Sequence, residues 1–223
     1  MNWIPIILTL KLSLITTLIL FVLALPLAYW LSVTQSKIKA IIETLVSMPL
    51  VLPPTVLGFY LLLAFSPQNT FGAWLDHWLG LKFVFTFQGL VLASCLYSLP
   101  FMVHPLQSGL SSLPSSITEA AIMLGKSKFT ILRKVLLPNI KPSVLTALVL
   151  TFAHTMGEFG VVLMIGGNIS GKTKVASIAV YDEVEALNYG MANQYSLILI
   201  GLSFLTLLMV YLFNGGFFKQ YLK

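Results

Sequence analysis

The chain has 223 residues, of which 57% are hydrophobic and 9% charged, with a formal net charge of +6. A water-soluble domain carries about 25% charged residues, so these few charges cannot clothe a surface for water, and lipid must be part of the solvent. The positive charges fall in short clusters between long apolar runs, which points to the positive-inside rule rather than a nucleic-acid partner, and a lone cysteine, Cys95, excludes an internal disulfide or a cysteine metal cluster.

Five segments reach the roughly 20 apolar residues that a helix needs to cross a bilayer. They fall at about 12–33, 44–65, 84–106, 142–165 and 193–215. The expected fold class is all-α, a polytopic membrane bundle of five transmembrane helices forming a single domain over 1–223. In the first segment, residues 12–36 carry no acidic or basic side chain, and the apolar part runs past Tyr29-Trp30 to Val33. That exceeds the roughly 7–15-residue core of a cleaved signal peptide, so a retained span is expected. The second lies in the charge-free run between Glu43 and Asp76 and contains Pro49, Pro53 and Pro54. Each proline removes an amide donor and obstructs a helix, so this span is kinked or broken. In lipid such a break survives where it lines a cavity or is covered by protein. In the third, Cys95 is read as a small buried hydrophobe, and His104, like His77 in the preceding loop, as isolated polar surface.

Residues 109–141 form a loop too patterned to be disordered. Ser116 and Glu119 have the spacing of a capping box, and Ile117, Ala120, Ala121 and Leu124 follow at helical spacing. Gly125 can end that helix. A second amphipathic piece, with Phe129, Leu132 and Leu136 on one side, runs to Pro138 and Pro142. Such a helix either lies on the lipid surface or docks into a partner protein. The small side chains of Ala120, Ala121 and Gly125 favour docking, because they permit close approach.

In the fourth segment Glu158 is the one carboxylate well inside a span, and His154 precedes it by one helical turn. Its cost there makes a partner or a functional role the default. A structural pairing near an interface or gate is expected, with a proton relay or metal pair as the alternative. Gly166–Thr173 fits the phosphate-loop pattern G-x-x-x-x-G-K-[ST]. That loop needs a strand before it and a sheet domain around it, and about 27 residues between two spans cannot supply one. A glycine-rich exit followed by a short helix near 175–187 is expected instead.

With five spans the termini lie on opposite sides. One face holds nine basic residues (Lys37, Lys39, Lys126, Lys128, Arg133, Lys134, Lys141, Lys219 and Lys223). The other holds four: Lys11, Lys82, Lys172 and Lys174. The richer face is assigned to the cytoplasm, which puts the N-terminus outside and the C-terminus inside. Trp74 and Trp78 serve as interfacial anchors or as packing aromatics.

Glu119-Ala120-Ala121, Gly125 after three intervening residues and then Leu136-Leu137-Pro138 resemble the EAA loop of permease subunits in bacterial ABC importers. Pro49–Gly58, Gly157-Glu158-Phe159-Gly160 and Ser177–Tyr181 are similar to segments of the molybdate permease family, parts of which sulfate and tungstate permeases share. The resemblance implies a type I ABC importer permease fold in the cell inner membrane. It implies ATPase contact through Glu119, Ala120, Ala121 and Gly125. The implied partners are a cytoplasmic ABC ATPase dimer, an extracytoplasmic substrate-binding protein, a second copy of the chain and membrane lipid, with no nucleic acid and no cofactor. Molybdate is the implied cargo, with tungstate or sulfate and thiosulfate as alternatives. Pro53, Pro54, Thr55 and Glu158 are the candidate pathway or gate residues, where neutral donors would hold a passing oxyanion weakly. Five helices bury too little to enclose a pathway alone, so a homodimer with a central path is expected. An intramembrane enzyme would have only His154 and Glu158 to work with, and no GxSxG or HExxH pattern accompanies them. A passive scaffold would need neither the broken helix nor the loop.

Overall fold

The structure is a computed structural model in which residues 1–214 are described. Lys219, Lys223 and the last position of the fifth expected span lie outside the described residues. Helix α1, Ile4–Val33, begins with Pro5 in its first turn, where a missing amide costs nothing. One face of it carries small residues four apart. Thr9, Ser13 and Thr17 donate to the carbonyls of Pro5, Thr9 and Ser13 at 2.8, 2.9 and 2.7 Å. Ala24 and Ala28 continue this buried face. Lipid removes the hydrophobic drive between helices, so close backbone approach and internally satisfied hydroxyls hold the bundle together. Along this face α1 packs most extensively on α5, Phe87–Ser111, and then on α9, Lys141–Gly157.

Among the described residues, three helices are long and apolar enough to cross a membrane: α1, α5 and the Tyr189–Leu212 part of α12, which runs from Tyr189 to Asn214. Two bent pairs raise the number to five. The first pair is α2, Ile38–Val51, with α3, Pro54–Phe65, bent by 111°. Pro49 is accommodated inside α2, while Pro53 sits outside α3 and Pro54 opens it, so the break falls where two donors are missing. The second pair bends by 85° where Lys128–Asn139 meets α9, between Pro138 and Pro142. The fourth expected span is not continuous. Helix α9 stops at Gly157, and α10 restarts at Gly160 and runs to Gly166. Glu158 is extended (φ −67°, ψ 135°), and its carbonyl accepts from Ser177 Oγ at 2.5 Å rather than from a later helical amide.

At one end of the bundle lie α4, Thr70–Leu79, a helix in what was expected to be a loop, and α11, Ala176–Glu185, close to the expected short helix. At the other end lies α6, Ser115–Met123. The expected capping box does not form. The helix starts at Ser115, behind Pro114, so Ser116 is already in the first turn and no side-chain cap is made. The far end of α6 behaves as expected. Gly125 adopts φ +68° and completes a Schellman motif, with Gly125 N–H on Ile122 O at 2.8 Å and Lys126 N–H on Ala121 O at 3.2 Å. The second amphipathic piece differs from its expected facing. After α7, Lys128–Ile131, a π turn over Leu132–Leu136 leads into α8, Leu137–Asn139. The extra residue per turn rotates the chain, so Ile131 and Leu136 are buried and Phe129 is exposed.

Candidate functional site

The two helix breaks meet. Gly160, the first residue of α10, packs on Pro54, the first of α3, so closely that a Cβ on Gly160 would lie 2.8 Å from Pro54 Cβ. Gly58, one turn along α3, packs as closely on Met164 of α10. Glycine at these two places lets the half-helices α3 and α10 lie against each other. Around the paired breaks is a cleft of about 520 Å³ lined by Pro54, Thr55, Tyr97, Ala153, His154, Gly157, Glu158, Phe159 and Gly160. Pro54, Thr55 and Glu158 are thus brought together. Pro53 stands beside them, exposed, as the residue that turns α2 into α3.

Glu158 is only 4% exposed. Its Oε2 accepts from Ser94 Oγ of α5 at 2.8 Å, while Oε1 has no hydrogen-bond partner among the described residues. His154 is held separately. Its Nδ1 lies 2.9 Å from Ser98 Oγ, which also bonds Thr155 Oγ1 at 2.9 Å, and its ring stacks on Phe101 with centroids 3.9 Å apart. Two serines one turn apart on α5 therefore each take one of these groups. No direct His154–Glu158 bond forms, and no group of three metal-ligating side chains occurs among the described residues. The cleft offers hydroxyls, an imidazole and one carboxylate, without arginine or lysine. Thr55 stands at the second position of α3, and the first hydrogen bonds of that turn come from Val56 and Leu57 to Pro53 O. Its amide is therefore free to meet a ligand.

Toward the α6 end, His104 is not isolated. Its Nε2 lies 3.1 Å from Ser47 Oγ of α2, and nearby Gln107 Nε2 donates to Glu43 Oε1 at 2.6 Å. On α6 itself, Glu119 and Ala120 are exposed, whereas Ala121 is 7% exposed and packs into the chain's own core with Leu110, Ile131 and Leu136. The surface beyond these positions is apolar: Met123 is 89%, Leu124 74% and Phe129 71% exposed.

A family model described as the binding-protein-dependent transport system inner membrane component matches residues 21–219. The chain belongs to this family. Among its relatives, the molybdenum transport system permease protein ModB of Azotobacter vinelandii is 45% identical over 92% of this chain and 90% of that protein. The sulfate transport system permease protein CysT of Escherichia coli is 30% identical over 82% of this chain and 65% of its own length. The fold matches that of the inward-facing MetNI methionine ABC transporter, with TM-score 0.72 and 20% identity over 92% of this chain and 91% of the other. As an ABC inner-membrane permease, the chain is a multi-pass transport subunit and not an enzyme.

In the glycine-rich segment of this permease, several of the backbone amides are bonded within the turn. The amides of Lys172, Thr173 and Lys174 all converge on Ile169 O at 2.9–3.1 Å. Thr173 Oγ1 turns inward to Gly166 O at 2.7 Å and takes the Ile169 amide at 2.9 Å. Amides spent on a carbonyl cannot cradle a phosphate. No motif in the sequence marks Ser94 or Ser98, whereas Gly160 and Ser177 lie in segments similar to the molybdate permease family but carry no role that the sequence alone defines. Ser94 and Ser98 did leave a signal, two hydroxyls one helical turn apart on an apolar span.

Proposed function

We propose that the chain is the permease of an ATP-driven molybdate importer, works as a homodimer and has its N-terminus outside and α6 in the cytoplasm. The observation that carries the cargo is the 45% identity to a molybdenum permease over nearly the whole of both chains, against 30% for a sulfate permease. The paired breaks support a pathway at Pro53, Pro54, Thr55 and Glu158. Free amides and hydroxyls give a tetrahedral oxyanion transient hydrogen bonds without the deep well that a cluster of cations would make. Pro53 and Thr55 are exposed in the single chain, flanked by exposed Val51, Phe59 and Tyr60, so a second copy facing this surface would close the path. Glu119, Ala120 and Gly125 with Met123 and Leu124 form the surface offered to the ATPase, and Ala121 ties that surface to the bundle. Closure of the ATPase dimer would then tilt the bundle through α6, while a substrate-binding protein delivers the anion at the α4 and α11 end.

The test is uptake into proteoliposomes holding this permease with its ATPase and binding protein. ATP-dependent accumulation of labelled molybdate that excess sulfate does not suppress is expected. Equal accumulation of sulfate refutes the cargo, and active ATP hydrolysis with no uptake of either anion refutes the importer.

A further inference from the structure

The four lysines at the α4 and α11 end divide into two pairs of opposite character. Lys82 is matched to Asp76 at 3.4 Å, and Lys174 is bonded to Asp182. Lys11 of α1 and Lys172, between α10 and α11, have no acidic partner among the described residues, yet both line one cleft of about 460 Å³.

This cleft is built, not an accident of loose loops. Phe85 N–H donates to Ile165 O at 2.8 Å, although Phe85 must take φ +61° to do so. Its ring lies over Gly167, where a Cβ would come within 2.5 Å of it. The loop before α5 is thereby clamped onto the turn after α10. The buried Thr173 hydroxyl holds that turn closed, and Asn168 Nδ2 bonds both oxygens of Asp182 at 2.9 and 3.0 Å. Lys11 Nζ sits 4.9 Å from the centroid of the Phe87 ring, which orients the ammonium without neutralising it. Gln88 adds an amide side chain to the lining. The backbone amides of Phe87 and Gln88, which open α5, form no hydrogen bond among the described residues. Two ammonium groups facing one cleft repel each other, and the two free backbone amides beside them are donors. A compact anion with several acceptor oxygens satisfies all of them at once.

We propose that this cleft binds a tetrahedral oxyanion, either the transported anion on its way to the helix breaks or the phosphate of a lipid headgroup. It is a receiving site separate from the pathway cleft, and it shares no residue with it. The importer reading is tested by wild-type uptake, so the two can fail independently.

The decisive experiment uses the assembled transporter, without binding protein, in nanodiscs. In phosphatidylcholine alone, labelled molybdate is titrated onto wild type, Lys82→Gln and the double variant Lys11→Gln/Lys172→Gln. Saturable, salt-sensitive binding is expected for the first two, weakened by about tenfold or more in the double variant. In a second arm, phosphatidylglycerol is added and retained lipid is read by native mass spectrometry. Selective retention by wild type but not by the double variant, with no molybdate bound, names lipid phosphate as the occupant. Equal binding of both probes by wild type and double variant overturns the proposal. Co-elution with the ATPase shows that the double variant is folded.

Discussion

Replacing Gly160 by alanine tests the packing of the two helix breaks. The added Cβ would lie 2.8 Å from Pro54 Cβ, 0.6 Å inside the 3.4 Å at which ordinary contact begins, and it would stand 3.4 Å from Thr55 N. The proline ring cannot rotate out of the way, so α3 and α10 must part by about that amount. Overpacking of this kind costs about 1–3 kcal/mol. Gly157, three residues earlier, is the internal comparison, because a Cβ there meets nothing within 4 Å. Glycine to alanine at such an open helical position is neutral or stabilising by about 0.5–1 kcal/mol. Thermal unfolding of the purified transporter in detergent reads both. At about 2–4 °C per kcal/mol for a chain of this size, Gly160→Ala should lower the midpoint by several degrees while Gly157→Ala holds or raises it. A Gly160→Ala midpoint at or above wild type, or an equal fall for Gly157→Ala, would refute the close contact as the reason for glycine at 160.

Three further outcomes follow from named contacts. Glu158→Gln keeps an acceptor for Ser94 Oγ, whereas Glu158→Ala leaves that buried hydroxyl without one. The alanine variant alone should lose about 1–3 kcal/mol of stability by the same thermal measurement, and an equal loss in both contradicts the hydrogen bond's role. Gly125→Ala meets no neighbour but must hold φ +68°, so it should cost about 1 kcal/mol and speed amide exchange at Gly125 and Lys126. Gly125→Asn should recover most of that loss, and unchanged exchange in the alanine variant would discount the left-handed cap. Met123→Asp places a charge on a side chain that is 89% exposed in the chain itself, so the midpoint of the isolated chain should not move. The ATPase should nevertheless fail to co-purify, and its retention would remove Met123 from the docking surface.

Much of the membrane architecture was legible in the chain because a bilayer makes a simple demand. Runs of roughly 20 apolar residues are rare by chance, and every backbone amide within them must be satisfied by the helix itself. The break before Pro53 and Pro54 was legible for the same reason, since those residues lack the donors. The glycine cap at Gly125 was also local, being a matter of one residue's φ. The capping box at Ser116 and Glu119 was a local expectation that failed, because the helix caps at Pro114, two residues earlier than that spacing required. The facing of Phe129 failed through a π turn that an assumed period of 3.6 cannot register.

By itself, then, the sequence determined the solvent, the apolar segments, the proline break and the small-residue helix between the third and fourth spans. The tertiary structure decided where Glu158 sits. No proline marks the break between Gly157 and Gly160, and that break persists because Ser177 Oγ satisfies the Glu158 carbonyl and Pro54 fills the space a side chain at 160 would need. It likewise turned Ala121 into the core, paired His104 with Ser47 across 57 residues, and left Lys11 and Lys172 as the two lysines of their cleft without carboxylates. Each of these depends on groups far apart in the chain. Their proximity follows from how the helices pack, and neither spacing nor composition encodes it.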